Sequence, residues 1–398
     1  MMAGQSLSAC ALWMQDTTLP WLAYEVSHSP VAVGWLAFCR YIPFAALSVS
    51  SGAAADRFDN RKMLIVLQVA AALIAATLAA LTFADLVELW HLYVFAVLGG
   101  VIAVLDWPSR NALTLQLVGP ENLSNAIALN ASLVNAARVV GPAAAGVVIA
   151  TAGAGVCFTL NAVAYLPLVA TLLVIRPARR VKQARTTAVS AVREGIAYVR
   201  GTPEIRLLLI LTAVITISGF NFRVMLPVLS SDTLGAGPEV FGVLIGCFGI
   251  GSVLGAFVAA SQTTASWRAV LAGAGGLSVV TLAIAPLRSV VIVAVLLVGM
   301  GAAYTIWTSN TQSVLVLTGP KELRGRLLAL YLLAIAGVAP IGSVISGWLA
   351  GLGGTELAFG VAGLTGLAMV GYTVLRVRDV RATARREAVV AEVPDAVL

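Results

Sequence analysis

The sequence predicts an all-α membrane protein with twelve transmembrane helices in two six-helix, pseudo-symmetric halves, and three observations predict it. Of the 398 residues, 60% are hydrophobic and only 11% are charged, where a soluble domain carries about 25%. Apolar runs of about 20 residues recur along the chain, the length a helix needs to cross a hydrocarbon core of about 30 Å. One stretch also repeats: Trp107, Ser109, Leu115, Leu117, Gly119, Pro120 and Leu123 return as Trp307, Ser309, Leu315, Leu317, Gly319, Pro320 and Leu323. Seven identities in 17 ungapped positions, between spans four and five and again between ten and eleven, predict parallel repeats about an axis along the membrane normal.

The first six spans fall at residues 3–26, 31–51, 63–84, 90–108, 124–149 and 152–175. The second six fall at 205–229, 239–260, 269–286, 289–309, 327–350 and 356–375. The chain thus divides into a half over 1–175, a basic linker over 176–204, a half over 205–376 and a tail over 377–398. Residues 1–26 lack a basic n-region and are polar at their centre, so they read as the first spanning helix rather than a signal peptide. The linker opens with Arg176, Arg179, Arg180 and Lys182, which suits an anionic inner leaflet. Residues 188–200 fit either an amphipathic surface helix or a solvated tether.

Charge sets the expected orientation. Of 25 Lys and Arg, 21 fall on the side of the 52–62 loop, three (Arg40, Arg138, Arg223) lie within spans, and Arg288 alone falls opposite. Short cytoplasmic loops collect Lys and Arg, so that side is expected to be the cytoplasm, with both termini there. The net charge of +7 would suggest nucleic acid in a soluble chain; here it faces anionic lipid, and no nucleic-acid partner is expected.

The charged stretch between spans two and three reads Gly52-Ala-Ala-Ala-Asp56-Arg57-Phe58-Asp59-Asn60-Arg61-Lys62. It resembles the loop after the second helix of major facilitator superfamily transporters, Gly-x-x-x-Asp-Arg-x-Gly-Arg-Lys/Arg. Gly52, Asp56 and Arg57 fit; Asp59 and Asn60 stand where Gly and Arg are usual. Trp13-Met14-Gln15, Leu19-Pro20-Trp21, Pro108-Ser109-Arg110, Asn125-Ala126, Arg138-Val139-Val140-Gly141-Pro142 and Leu226-Pro227 extend the likeness over nearly the whole chain. They resemble the bacterial branch of enterobactin-exporter-like transporters, the transmembrane secretion effectors. The resemblance implies the major facilitator fold in a cytoplasmic membrane, acting as a monomer by alternating access. It implies proton-coupled export of a small siderophore- or drug-like amphiphile. The rival readings are a lipid or lysophospholipid transporter on the same fold and a membrane-embedded transferase. It further implies a basic flank before the first helix; that flank is missing, so the start is expected to be truncated or misassigned.

In that superfamily Asp56, Asp106 and a loop Arg form a charge relay that latches one conformation. With Asn60 in the Arg position, Arg61 or Lys62 is the expected substitute. Asp56 is expected at the N-terminal end of span eleven, near Arg324 or Arg326, with Gly52 where spans two and eleven meet. Gly141, Pro142 and Gly146 resemble the exporters' antiporter signature, with Ala145 where a second Gly is usual.

Mid-membrane charge is expensive and needs a reason. Gln5, Ser8, Gln15 and Asp16 form a polar stripe on the first helix, where Asp16 is either the proton-coupling acid or a permanent partner of a buried Arg. Arg138, three residues after Asn135, is expected to bind an anionic group or hold Asp16 ionised; Arg40 competes for that pairing. Asn221, Arg223, Trp307, Asn310 and Tyr331 are candidate cavity residues, with Trp307 alternatively an interface anchor. The Gly pairs 242/246 and 251/255 predict close helix packing. No phosphate-binding Gly loop, Gly-x-Ser-x-Gly or metal cluster is present, and Cys10, Cys39, Cys157 and Cys247 lie unpaired in apolar runs; no enzyme, cofactor or metal is expected.

Overall fold

A computed structural model describes residues 2–117, 123–175, 188–219, 222–262, 265–320 and 323–391; within these, side chains are described except at 2–3, 48–50, 52–57, 115–116, 123–132, 134–135, 188–193 and 378–391. The described chain is helical almost throughout. The elements are α1 (Met2–Ser27), α2 (Pro30–Arg57), α3 (Asn60–Phe83), α4 (Leu89–Leu117), α5 (Leu123–Val174), α6 (Ala188–Gly201) and α7 (Pro203–Gly219). They continue as α8 (Phe222–Val228), α9 (Pro238–Ser261), α10 (Trp267–Ile284), α11 (Val290–Thr318), α12 (Arg324–Leu332) and α13 (Ala339–Ala391). Single π-turns extend α8 over Leu229–Thr233 and α12 over Leu333–Gly337.

Among the described residues, nine helical stretches are long and apolar enough to cross a membrane. Two are too long for one crossing, at 39 and 54 residues, because about 20 residues suffice. Glycine breaks both. Gly153 has φ 84° and Gly354 φ 69°, left-handed backbone that L side chains resist. Beyond Gly153 the chain returns along α1: Thr18 meets Cys157, while Gly4 lies against Leu168. α5 is thus a hairpin of two limbs. α1 is not among the nine, because Gln5, Ser8, Gln15 and Asp16 dilute its apolar character.

The helices overrun the expected spans. α2 continues to Arg57, and α3 starts at Asn60 with Asp59 as its N-cap, accepting from the backbone N–H groups of Arg61 and Lys62. The expected 52–62 loop is therefore mostly helix. Asp59, in the family's glycine position, supplies the cap: its side chain satisfies two of the orphan donors that open α3. α4 and α11 are each 29 residues long, and Trp107, Ser109, Leu115 and Leu117 of α4 correspond to Trp307, Ser309, Leu315 and Leu317 of α11. In the linker, α6 forms a helix whose Glu194 pairs with Arg326 of α12.

Contacts concentrate within α1–α5 and within α7–α13, and the two groups meet along α5 with α9 and α2 with α13. Small residues make both seams. A Cβ on Gly146 would fall 2.7 Å from the Gly242 Cα, and one on Gly34 would fall 2.8 Å from the Ser343 carbonyl and 3.1 Å from the Gly347 Cα. Backbones touch where a side chain would hold them apart. Nearby, Tyr24 donates a hydrogen bond to Asp232 and Trp21 stacks on Phe241 at 5.6 Å. These contacts close the end of the bundle that carries the turns at residues 28–29 and 234–237. The main apolar core follows them: Met14, Trp21, Tyr24 and Val33 join a cluster built chiefly from α7–α13.

Overpacking of this kind costs about 1–3 kcal/mol, enough to shift two conformers by about 5- to 150-fold. Gly242→Leu should therefore wedge the closed end open. In a cysteine-free background, Val33→Cys, buried in the parent, should then react at least tenfold faster with an impermeant maleimide added at that end. An unchanged rate would mean that the glycine seam does not hold the end shut.

Candidate functional site

Helices α1 and α2 place a carboxylate against a guanidinium in the middle of the bundle. Arg40 Nε donates to Asp16 Oδ1 at 3.1 Å, with the two side chains 15% and 22% exposed. The pair lies on the wall of a cavity that Arg223 and Val224 of α8 line from the other side. A second, smaller hollow lies behind the pair, lined by Gln15 and Tyr165 among others. Gln15 accepts from the Tyr165 hydroxyl at 3.4 Å. With its amide turned, Asn161 donates to the Ala11 carbonyl and accepts from the Gln15 N–H. Of the competing partners, Arg40 takes Asp16; Arg138 does not.

Arg138 and Arg223 lie instead against one aromatic ring. Their guanidinium carbons stand 5.2 and 4.6 Å from the Trp13 ring centroid. The Nε of each is buried with no acceptor among the described residues. A charge at this depth costs about 2.5–3.5 kcal/mol on insertion scales, and a cation–π contact returns about 0.5–2 kcal/mol. The ring alone does not offset two such charges. The side chains of Asn135 and Asn221 lie outside the described residues.

Three predicted residues of the second half sit in its core. Trp307 and Tyr331 are fully buried. Tyr331 accepts from Gln312 at 3.3 Å and donates to the Thr308 carbonyl at 3.4 Å. Asn310 donates to the Ile306 carbonyl at 3.0 Å. Trp107, the repeat partner of Trp307, is 60% exposed, whereas Trp307 packs under α10, where Gly273 leaves its backbone room.

The signature glycines divide their work. Gly141 lets α5 touch α1, since a Cβ there would meet Trp13 Cβ at 2.7 Å. Gly146 makes the seam with α9, and the Pro142 carbonyl lies against Gly242 in the same seam. Gly251 and Gly255 seat α9 on α11 at Val298 and Ala302, while Gly246 stands in open van der Waals contact.

Of the expected latch, the side chains of Asp56 and Arg57 and the surroundings of Gly52 lie outside what the structure describes, and so do the seats of Gly52 and Asp56 against span eleven. Asp106 is held by Arg110 through two bonds of 2.8 and 3.0 Å and by Gln68 at 2.8 Å. Gln68 also accepts from Ser8 at 2.7 Å, so the polar stripe of α1 ends in this network. Arg61 donates to the Leu172 and Leu173 carbonyls, capping the C-terminal end of α5. Sequence reasoning missed Gln68, Arg110 and Trp13 as site residues. The first two carried a signal: Gln68 interrupts an apolar run, and Arg110 follows Asp106 at the i,i+4 spacing of a helical ion pair.

A family model described as "Transmembrane secretion effector" matches residues 2–395. The staphyloferrin A transporter of Staphylococcus aureus is 25% identical over 364 residues, covering 89% of each chain. The multidrug efflux pump Tap of Mycolicibacterium fortuitum is 26% identical over 355 residues, covering 85% of this chain and 86% of its own. Among solved structures, an inward-facing, unoccupied bacterial homologue of the human lysosomal transporter Spinster superposes with a TM-score of 0.72, at 14% identity over 94% of each chain. That likeness establishes the fold.

The Asp16–Arg40 pair sets an energetic expectation. Removing one partner of a buried pair strands the other charge; partial exposure trims the cost here to about 1–3 kcal/mol. Asp16→Asn and Arg40→Gln should each lower unfolding stability in detergent by that amount, and the double variant should cost less than their sum. Strict additivity would show that the two side chains do not interact.

Proposed function

Because the chain belongs to the transmembrane secretion effector family of major facilitator transporters, we propose that it is a secondary active exporter of a small siderophore- or drug-like amphiphile, driven by protons. It acts by alternating access, as twelve spans in halves over residues 1–175 and 205–376. The breaks at Gly153 and at Gly353–Gly354, the repeated stretch and the two glycine seams support that division. The Lys and Arg count supports cytoplasmic termini and a cytoplasmic 176–204 linker in the cell membrane. In that orientation the closed end is the outer one.

The observation that carries the reading is the Asp16–Arg40 pair on the wall of the cavity between the two groups of helices. Protonating Asp16 removes the counter-ion of Arg40, so proton occupancy changes the charge of the cavity wall. A carboxylate that exchanges its proton with one side at a time couples the proton gradient to the swing of the halves. Two relatives, described as a staphyloferrin A transporter and a multidrug efflux pump, support a small-molecule cargo.

The test pairs a screen with a point variant. Cells overproducing the protein are assayed for export of a panel of siderophores and drugs, and the cargo found is followed in vesicles under an imposed pH gradient. Asp16→Asn should cut gradient-driven export at least tenfold while exchange without a gradient persists. Equal dependence on the gradient in both proteins would sink the coupling role. Movement of lysophospholipid alone would favour the lipid-transporter reading.

A further inference from the structure

Arg138 and Arg223 stand at the centre of the bundle without a carboxylate partner among the described residues, and they share one ring. Arg138 comes from α5 and Arg223 from α8, so each group of helices supplies one cation. Both guanidinium carbons lie about 5 Å from the Trp13 centroid and so no more than about 10 Å from each other. The carboxylate on the same cavity wall, Asp16, already faces Arg40. An aromatic file leads onward from Arg223: Phe222 packs on Phe248 at 4.4 Å and Phe248 on Tyr304 at 5.7 Å. Tyr304 lies within electrostatic reach of both guanidiniums.

We propose that Arg138, Arg223 and the face of Trp13 form an anion-binding site across the two halves, and that the cargo carries a planar oxyanion on an aromatic or apolar frame. The inference rests on reading the inter-half cavity as the cargo site. A guanidinium presents parallel N–H donors that match a carboxylate or sulfonate, and it tolerates burial better than an ammonium. The Nε–H groups of both arginines are buried and have no acceptor among the described residues. Without a ligand, two like charges at the seam oppose closure; an anion between them reverses the sign. Cationic amphiphiles meet both charges as repulsion, and neutral ones leave the donors unpaired.

The probes are phthalate, its uncharged dimethyl ester and the tetraphenylphosphonium cation, titrated by calorimetry into protein reconstituted in nanodiscs. Phthalate should bind saturably and at least tenfold tighter than the ester, and the cation should not compete. Arg138→Gln and Arg223→Gln should each weaken phthalate at least tenfold and leave the ester unchanged. Arg223→Lys, which keeps the charge and loses the fork, should fall between. The proposal is overturned by equal binding of acid and ester, by no saturable phthalate binding, by tighter binding of the cation, or by indifference to both Gln variants. Vesicle uptake separates this from the transport reading. Phthalate bound but never moved leaves the anion site standing and sinks export, whereas export of a cargo by protein that binds no anion does the reverse.

Discussion

A charge in hydrocarbon costs more than a single packing contact returns, and four helices are arranged around four such charges. Asp16 on α1 and Arg40 on α2 cancel each other. Arg138 on α5 and Arg223 on α8 do not; they lean on Trp13, which α1 supplies one turn before Asp16. The polar face of α1 therefore has to point inward, and the first helix becomes the axle about which α2, α5 and α8 are placed. Further along the same face, Ser8 reaches Gln68, and through it Asp106 and Arg110. Turning α1 about its axis would expose both networks to lipid at once.

Small residues then decide where the two groups of helices meet. Gly34 against Gly347 and Gly146 against Gly242 bring backbones into contact at the end that Tyr24 and Asp232 also join. The contact is broad but built largely of van der Waals touch and one side-chain hydrogen bond, with no ion pair across it among the described residues. Such a seam separates without stranding a buried charge, which suits a surface that must part and re-form in every cycle.

The all-helical fold was legible because it depends on run length, on the residues that interrupt runs and on a repeat that needs no structure to be seen. The glycine break at Gly353–Gly354 falls in the expected gap at 351–355, and the one at Gly153 falls two residues past the expected gap at 150–151. Helix ends were less legible: α2 and α4 run past the membrane limits, because a helix does not stop where hydrocarbon does. Partners were least legible. Asp16 had two candidate cations on two helices, and only packing brings Arg40 to it. Arg61 carried the right charge for a relay, and it caps the C-terminal end of α5, whose last carbonyls have no partner within the helix. Trp13 belongs to one of the family-like motifs, and nothing in one sequence says that two distant arginines converge on its ring.

The account stands or falls on the two ends of the bundle moving in opposition about the central cavity. Spin labels at Glu25→Cys and Glu239→Cys report the closed end, and labels at Lys62→Cys and Arg268→Cys report the other, in cysteine-free protein in nanodiscs. Across changes of pH and cargo, the account predicts that the population with the first pair far apart grows in step with the population that has the second pair close. Distances that change together at both ends, or at neither, would contradict it.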